Sequence, residues 1–241
     1  MPTAGAPAPL EISIASKAYA ARTAPVAVLH DFALRLGAGQ FGALIGPSGC
    51  GKTTILRIVA GLDTAFAGTL TLPGSGRLGM VFQEPRLLPW RSVEDNIRLV
   101  LDPAAPPPDL DALFGMLGLD EHRSHYPGEL SLGLARRVAI ARAFVINPDL
   151  LLLDEPFVSL DAATAQRLRT ELAALCARRP VTALMVTHDL DEAIELADVL
   201  YFVSARPARL VAQVPVTIPR GARTPEAVAS FRAALQIPLE T

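Results

Sequence analysis

Hydrophobic residues in this chain follow two alternating patterns. Four short apolar runs are each bounded by glycine, proline or polar residues: FGALIG (41–46), LGMVFQ (78–83), DLLLLDEP (149–156) and VTALMVTHD (181–189). Runs of this kind are typical of strands buried on both faces, as in a parallel sheet covered by helices. Helical periodicity occupies the segments 52–60, 131–146, 161–178 and 190–197. The alternation of strand-like and helix-like segments predicts an α/β fold.

Three stretches depart from this alternation. The proline-rich segment LDPAAPPPDL (101–110) breaks the middle of the chain, and with 111–146 it predicts a helical subdomain inserted into the α/β core. Residues 1–9 are rich in proline and alanine, so we expect a loose tail there. After SARPARL (204–210) the periodicity weakens, which predicts a short C-terminal extension.

Composition narrows the class of protein without deciding it. The 241 residues suffice for one sizeable core with a subdomain, and a net charge of −2 gives no electrostatic case for nucleic acid as the main partner. Two cysteines predict no disulfide framework and favour a reducing compartment. The amino-terminal segment predicts no secretion signal, and no run approaches the roughly 18 apolar residues of a membrane span. The 51% of hydrophobic residues indicates either apolar surface covered by a partner or an alanine-rich core.

The stretch GPSGCGKTT fits the pattern of a phosphate-binding loop, G-x-x-x-x-G-K-[ST], between a strand-like and a helix-like run. Its glycines allow successive backbone N–H groups to converge on phosphate oxygens. Lys52 would supply a positive charge to the β- and γ-phosphates, and Thr53 a hydroxyl to Mg²⁺. The phosphate contacts predicted for this loop are Gly46, Pro47, Ser48, Gly49, Cys50, Gly51, Lys52, Thr53 and Thr54. We also expect Cys50 to be accessible to thiol reagents.

Two carboxylates end the apolar run LLLLDEP. Asp154 would hold Mg²⁺ directly or through water, and Glu155 would accept a proton from the attacking water. The alternative interpretation, a solvated acidic turn, is common in α/β proteins. A position about a hundred residues after a phosphate loop, at a strand end, favours the catalytic interpretation.

With these motifs in this order, residues 10–215 resemble the ATP-binding cassette (ABC) ATPases. Gln83 in VFQEP resembles the glutamine of the family's Q-loop, and SLD (159–161) resembles its D-loop, which implies a nucleotide contact for Asp161. His188 in VTHDLDEA resembles the switch histidine. Tyr19 in SKAY occupies the place of an aromatic residue that stacks on adenine.

The stretch LSLGL (130–134) departs from the family's signature, which continues Gly-Gly-Gln or Gly-Gly-Met after Leu-Ser. The resemblance implies that Ser131 and Gly133 contact the γ-phosphate of ATP held by an opposite subunit. Ser131 is a favoured N-cap, and Leu132 needs only the ordinary negative φ of a helix start. We therefore interpret the signature as variant but working; the alternative is a slow or regulatory ATPase. We expect Arg136 and Arg137 on a solvated helix face; the alternative is a position near the seam of a dimer.

The resemblance implies a P-loop NTPase fold of a single domain, 1–241, with a RecA-like core at about 10–95 and 147–215 and an antiparallel β subdomain. The helical subdomain would span about 96–146 and the C-terminal extension about 216–241. It assigns catalysis to Lys52, Gln83, Glu155 and His188, and Mg²⁺ to Thr53, Gln83 and Asp154. The cofactors are then ATP and Mg²⁺.

The stretch QEPRLLPWRSVEDNI resembles the importer ATPases of the nitrate, sulfonate and taurine group. The resemblance implies a homodimeric ATPase subunit that lies peripherally on the cytoplasmic face of the bacterial inner membrane. It would bind a membrane-spanning permease, be served indirectly by a periplasmic solute-binding protein, and bind no nucleic acid. The alternatives are another transport class, including lipid transport, a cassette acting in translation or DNA repair, and a degenerate nucleotide sensor.

Overall fold

The computed structural model describes residues 8–22, 24–104 and 108–235, in two compact units. The first unit combines the amino-terminal segment up to Gly76 with the segment from Thr182 onward, and the second runs from Arg77 to Val181. Most of the tail predicted at residues 1–9 lies outside the described residues.

The strands in chain order are β1 (Leu10–Tyr19), β2 (Val26–Leu36), β3 (Phe41–Ile45), β4 (Ala67–Thr71), β5 (Leu78–Val81), β6 (Leu150–Asp154), β7 (Thr182–Thr187), β8 (Val199–Val203) and β9 (Leu210–Pro215). The helices are α1 (Lys52–Val59), α2 (Val93–Arg98), α3 (Leu110–Leu117), α4 (Leu132–Phe144), α5 (Ala162–Arg178), α6 (Leu190–Leu196) and α7 (Pro225–Ala234). None of these helices has the length and apolar character needed to cross a bilayer.

The first unit contains an antiparallel sheet in the order β2-β1-β4. The start of β1 shows why it forms a half-buried strand: Leu10, Ile12 and Ile14 are buried and alternate with exposed Glu11 and Ser13. This period of two is the signature of a strand with one face in the core.

The first unit also contains parallel pairs of β3 with β7 and β8, and β9 pairs with β8 in the antiparallel direction. Every residue of β3, β7 and β8 is buried, in agreement with their continuous apolar sequences. Ile45 is level with Thr187 in the register, so the segments that follow β3 and β7 leave the sheet at the same edge.

The second unit pairs β5 with β6 in parallel, and Val81 is level with Leu153. Helix α4 packs on α2, α3, α5 and β5. Side chains cap the first turns of α2, α3, α4 and α5: Ser92, Asp109, Ser131 and Asp161. The helical subdomain that we propose for residues 96–146 would contain α3 and α4.

The four strands and four helices predicted from periodicity are all present, as β3, β5, β6 and β7 and as α1, α4, α5 and α6. The remaining elements were not individually predicted. The α/β fold class is confirmed.

Candidate functional site

The loop between β3 and α1 requires glycine at both of its ends. A Cβ on Gly46 would lie 2.7 Å from the carbonyl oxygen of Val203. Gly51 has a φ of 128°, and a Cβ there would lie 2.9 Å from Cγ1 of Val28. Other residues would therefore clash or be strained at these positions. Because these two positions carry no side chain, the backbone of the loop can approach a phosphate closely.

Lys52 is the first residue of α1 and points back into this loop. Its side chain is buried, at 5% exposure, and its Nζ donates to the carbonyl oxygens of Gly46 at 2.7 Å and Pro47 at 2.8 Å. The N-cap of α1 is Gly51, which has no side chain to accept from the first N–H groups of the helix. A positive charge and the N-terminus of a helix together favour an anion.

His188 leaves the same sheet edge as the phosphate loop, because it follows Thr187 just as Gly46 follows Ile45. The next residue, Asp189, caps α6 by accepting from the N–H groups of Asp191 and Glu192 at 2.8 Å and 3.1 Å. In parallel sheets, ligands bind beyond the carboxyl ends of the strands, so this edge is where a nucleotide is expected.

Tyr19, the last residue of β1, is held by a charged pair. Its hydroxyl donates to Oδ2 of Asp63 at 2.7 Å, and Nζ of Lys17 lies 4.4 Å from its ring centroid. Lys17 also donates to Oδ1 of Asp63 at 2.6 Å, and this hydrogen bond lowers the pKa of the Asp63 carboxyl. The ring is partly exposed and fixed in orientation. The pair was not predicted from the sequence, although the spacing of Lys17 and Tyr19 at a strand end places a cation and an aromatic ring on the same face of the strand.

The second unit brings Gln83, Asp154 and Glu155 to one sheet edge. Because Val81 is level with Leu153, Phe82 and Asp154 follow at the same height, and Gln83 and Glu155 come next. Asp154 is buried at the end of β6. Glu155 has a φ of 45°, in the left-handed region. A non-glycine residue in this region costs about 1–3 kcal/mol, and such residues cluster at functional sites.

The donors at this edge suit Mg²⁺. Carboxylate and amide oxygens, as in Asp154 and Gln83, are hard ligands of the kind that Mg²⁺ prefers. Within the described ranges no three His, Cys, Asp or Glu side chains form a ready-made metal cluster.

The variant signature forms a regular helix start. Oγ of Ser131 accepts from the N–H of Leu134 at 3.3 Å, as an N-cap does. Leu132 is the first residue of α4, with no positive φ, and it is 41% exposed. A Cβ on Gly133 would lie 2.7 Å from Cγ2 of Thr164 on α5, so the retained glycine is required by helix packing.

Asp161 has a local role that the sequence did not predict. Its Oδ1 accepts from the N–H of Thr164 at 2.9 Å and caps α5. Hydrogen bonding with Thr164 lowers the pKa of this carboxyl. The preceding turn contains Ser159 with a φ of 65°. A nucleotide contact by Asp161 stays a prediction.

Two expectations about exposure are wrong. Arg136 is 2% exposed and donates to backbone carbonyls. Arg137 forms a bidentate pair with Glu171, with hydrogen bonds of 2.8 Å and 2.9 Å. Neither arginine therefore lies on a solvated face. Cys50 is buried, which contradicts the expected access of thiol reagents. A signal for the burial of Arg136 was present in the sequence of α4 itself. Four consecutive apolar residues, Val138, Ala139, Ile140 and Ala141, are all buried, so this part of the helix has no solvated face.

The glycine loop with its buried lysine and the acidic strand end define a class, the proteins that bind nucleoside triphosphates through a phosphate loop. Comparison with known proteins narrows this class to one family. Residues 29–158 match the family model described as ABC transporter, and the chain belongs to this family. The predicted family, fold and activity class, ATP hydrolysis coupled to transport, are thereby confirmed.

Relatives are similar over most of the chain. It is 45% identical over 238 residues to aliphatic sulfonates import ATP-binding protein SsuB 2 of Burkholderia cenocepacia, covering 95% of this chain and 87% of that protein. It is 43% identical over 218 residues to the protein of the same name from Pseudomonas syringae pv. tomato, covering 90% and 92%. It is 39% identical over 225 residues to SsuB of Bacillus subtilis, covering 89% and 88%.

Solved structures share the fold. The ATP-binding cassette MJ0796, described as dimeric and in a post-hydrolysis state with ADP and Pi, superposes with a TM-score of 0.74 at 24% identity. The match covers 86% of this chain and 98% of that chain.

Proposed function

We propose that this protein is the ATP-hydrolysing subunit of a bacterial importer for aliphatic sulfonates or closely related small anions. The observation that carries the proposal is the identity of 39–45%, over most of the chain, to proteins named as sulfonate import ATP-binding proteins. The site supports the hydrolytic part, because a phosphate loop with a buried lysine and a carboxylate pair at a strand end are both intact.

In the proposed mechanism, Tyr19 stacks on adenine and the loop of residues 46–54 holds the phosphates. Lys52 exchanges its two carbonyl contacts for β- and γ-phosphate oxygens. Glu155 accepts the proton of the attacking water, and His188 stabilises the γ-phosphate. The left-handed backbone of Glu155 supports its role, since strained backbone clusters at functional sites.

Mg²⁺ would be held by Thr53, Gln83 and Asp154, and when bound it neutralises charge on the phosphates. The buried position of Asp154 favours such a role, because a carboxylate removed from water is stabilised by a cation.

The proposed assembly is a homodimer that docks on a membrane-spanning permease at the cytoplasmic face of the inner membrane. Ser131 and Gly133 of one copy would contact the ATP of the other. Two observations support this arrangement: the MJ0796 cassette is described as dimeric, and the first turn of α4 is exposed at Ser131 and Leu132. A periplasmic binding protein would deliver the solute to the permease, and no nucleic acid is involved.

A growth assay tests activity and solute together. We expect a deletion strain to grow on sulfate and to fail on an alkanesulfonate as sole sulfur source. Wild type restores growth, whereas Lys52→Ala does not, because the loop loses its charge; Arg178→Ala, on the last residue of α5, serves as the matched control and restores growth. A deletion strain that still grows on the sulfonate but fails on nitrate as sole nitrogen source would contradict the proposed solute. It would leave the ATPase assignment unaffected. Full rescue by Lys52→Ala contradicts the ATPase assignment.

A further inference from the structure

A buried arginine on α4 contacts both loops that carry the second unit's predicted catalytic residues. Nη1 of Arg136 donates to the carbonyl oxygen of Phe82 at 3.0 Å, and Nη2 donates to that of Val158 at 3.4 Å. Phe82 immediately precedes Gln83, and Val158 lies three residues after Glu155. One guanidinium therefore joins the segments that follow β5 and β6 to the helix that begins after Ser131.

Burying the charged guanidinium of Arg136 costs free energy, so packing alone does not explain this contact. Burial lowers the pKa of Arg136, and the charge of Glu84 only partly opposes this effect. Its Nε is also buried without a hydrogen-bond partner in the described part of the chain. A leucine or methionine would fill the same space without the desolvation of a cation. What the arginine adds is a planar fork that donates to two separate carbonyls at once.

A second arginine on the same helix holds the other end of the first loop. Arg142 donates to the carbonyl oxygens of Arg86 at 2.9 Å and Pro85 at 2.7 Å. Helix α4 thus binds the segment 82–86 at both ends, with Gln83 between the two contacts. These carbonyls belong to irregular backbone outside any helix or strand, so no sheet or helix ladder fixes their position.

We propose that Arg136 is a positioning residue for ATP hydrolysis, which fixes the segments carrying Gln83 and Glu155 to the signature helix α4 so that all three move as one body. The inference rests on the proposed function, because it concerns the same hydrolytic step. A rigid link of this kind allows contact at Ser131 to change the positions of Gln83 and Glu155 together. The nucleotide affinity of the phosphate loop does not depend on it, since Lys52 and its glycines have hydrogen bonds of their own.

The test compares variants of neighbouring arginines in the full chain with the permease present. Arg136→Met keeps the volume and removes both donors, and Arg136→Lys keeps the charge but has no fork. Arg137→Met is the matched control, because it removes an equally well-bonded arginine that pairs with Glu171 instead of the loops. The measurements are kcat and KM for ATP, together with the melting temperature of each variant.

We expect Arg136→Met to lower kcat about tenfold or more while KM stays within about threefold, because misplaced groups slow the reaction without weakening ground-state binding. Arg136→Lys should recover part of kcat by donating to one carbonyl. Arg137→Met should keep kcat within about threefold, even at a similar loss of melting temperature.

Three results overturn the inference. The first is a normal kcat in Arg136→Met, and the second is an equal loss of kcat in Arg136→Met and Arg137→Met. The third is a rise of KM with unchanged kcat, which assigns Arg136 to binding. A wild type that does not hydrolyse ATP overturns the proposed function itself, and the inference with it.

Discussion

Glu155, the proposed general base, has a strained backbone conformation. It follows the last residue of a fully buried strand, and its φ of 45° is a conformation that glycine adopts without strain. Left-handed backbone costs an ordinary residue about 1–2 kcal/mol. The carboxylate is therefore held in a strained position at the sheet edge where a nucleotide is expected.

Replacing Glu155 by glycine or alanine separates strain from catalysis. Both changes remove the carboxylate, so we expect both to lower ATP turnover by roughly 10²–10⁴-fold, the usual effect of losing a general base. Glu155→Gly should nevertheless be more stable than Glu155→Ala by about 1 kcal/mol, because only glycine relieves the positive φ. Turnover assays and thermal unfolding of the two variants measure this. Equal stability of the two would mean that the left-handed backbone does not occur in solution.

Lys17, Asp63 and Tyr19 illustrate a second residue-scale effect. Two hydrogen bonds to one carboxylate fix an aromatic side chain at the end of a strand. The orientation of Tyr19 is thus set by residues that β1 and the α1–β4 connection bring together, 44 and 46 positions apart in sequence.

At the scale of elements, α4 combines an exposed first turn with a largely buried remainder. Ser131 caps it, Gly133 allows it to approach α5, and Arg136 and Arg142 bind the loop after β5. The substitutions that make the signature unusual change exposed or half-exposed side chains, and they leave the cap and the close packing in place.

Two adjacent substitutions at the start of α4 test whether the variant signature works. Leu132→Gly should change ATP turnover by less than about tenfold, or about 1.4 kcal/mol of barrier, because backbone N–H groups survive a change of side chain. Ser131→Arg should abolish turnover by blocking dimer closure, while ATP still binds the subunit's own phosphate loop. Ser131→Ala, which removes only the cap at a cost of about 1 kcal/mol, controls for stability.

ATPase rates with the permease present, and nucleotide titration of each variant, provide the readout. If turnover is indifferent to both Leu132→Gly and Ser131→Arg, α4 does not serve a nucleotide. A wild type that gains activity only with Leu132→Gly has a degenerate signature.

At the scale of the whole molecule, each unit supplies part of the predicted chemistry. The first carries Tyr19, the phosphate loop of residues 46–54 and His188. The second carries Gln83, Asp154 and Glu155 at one sheet edge and Ser131 and Gly133 at the start of α4. A contribution of Ser131 to a second copy requires that ATP hold two molecules together.

A hydrolysis-deficient variant should make this dimer visible. We expect Glu155→Gln to bind ATP and to run as a dimer on size-exclusion chromatography with light scattering, and as a monomer without nucleotide. The double variant Lys52→Ala, Glu155→Gln is the control and should stay monomeric, because it lacks the phosphate-binding charge. A Glu155→Gln protein that remains monomeric when saturated with ATP contradicts the proposed assembly.

The sequence by itself determined the local features of this protein. Continuous apolar runs such as LLLLDEP bury both faces of a strand, and the glycine loop that leads into Lys52 is recognised from consecutive residues of one short motif. The N-caps Ser131 and Asp189 likewise depend on residues two or three positions away. The strands, helices and motifs at these places were therefore predicted from short stretches, and the family followed from their order.

The tertiary structure decided what depends on residues far apart in the chain. From its sequence alone, Arg136 is expected at the surface. In the fold it is buried, and the carbonyl oxygens of Phe82 and Val158, 54 and 22 positions away, accept its hydrogen bonds. Gly133 is required by Thr164 on another helix, and His188 reaches the level of Gly46 only through the register of β3 with β7. Burial, close approach and register arise from the packing of separate elements, and a single sequence carries no direct signal for those contacts.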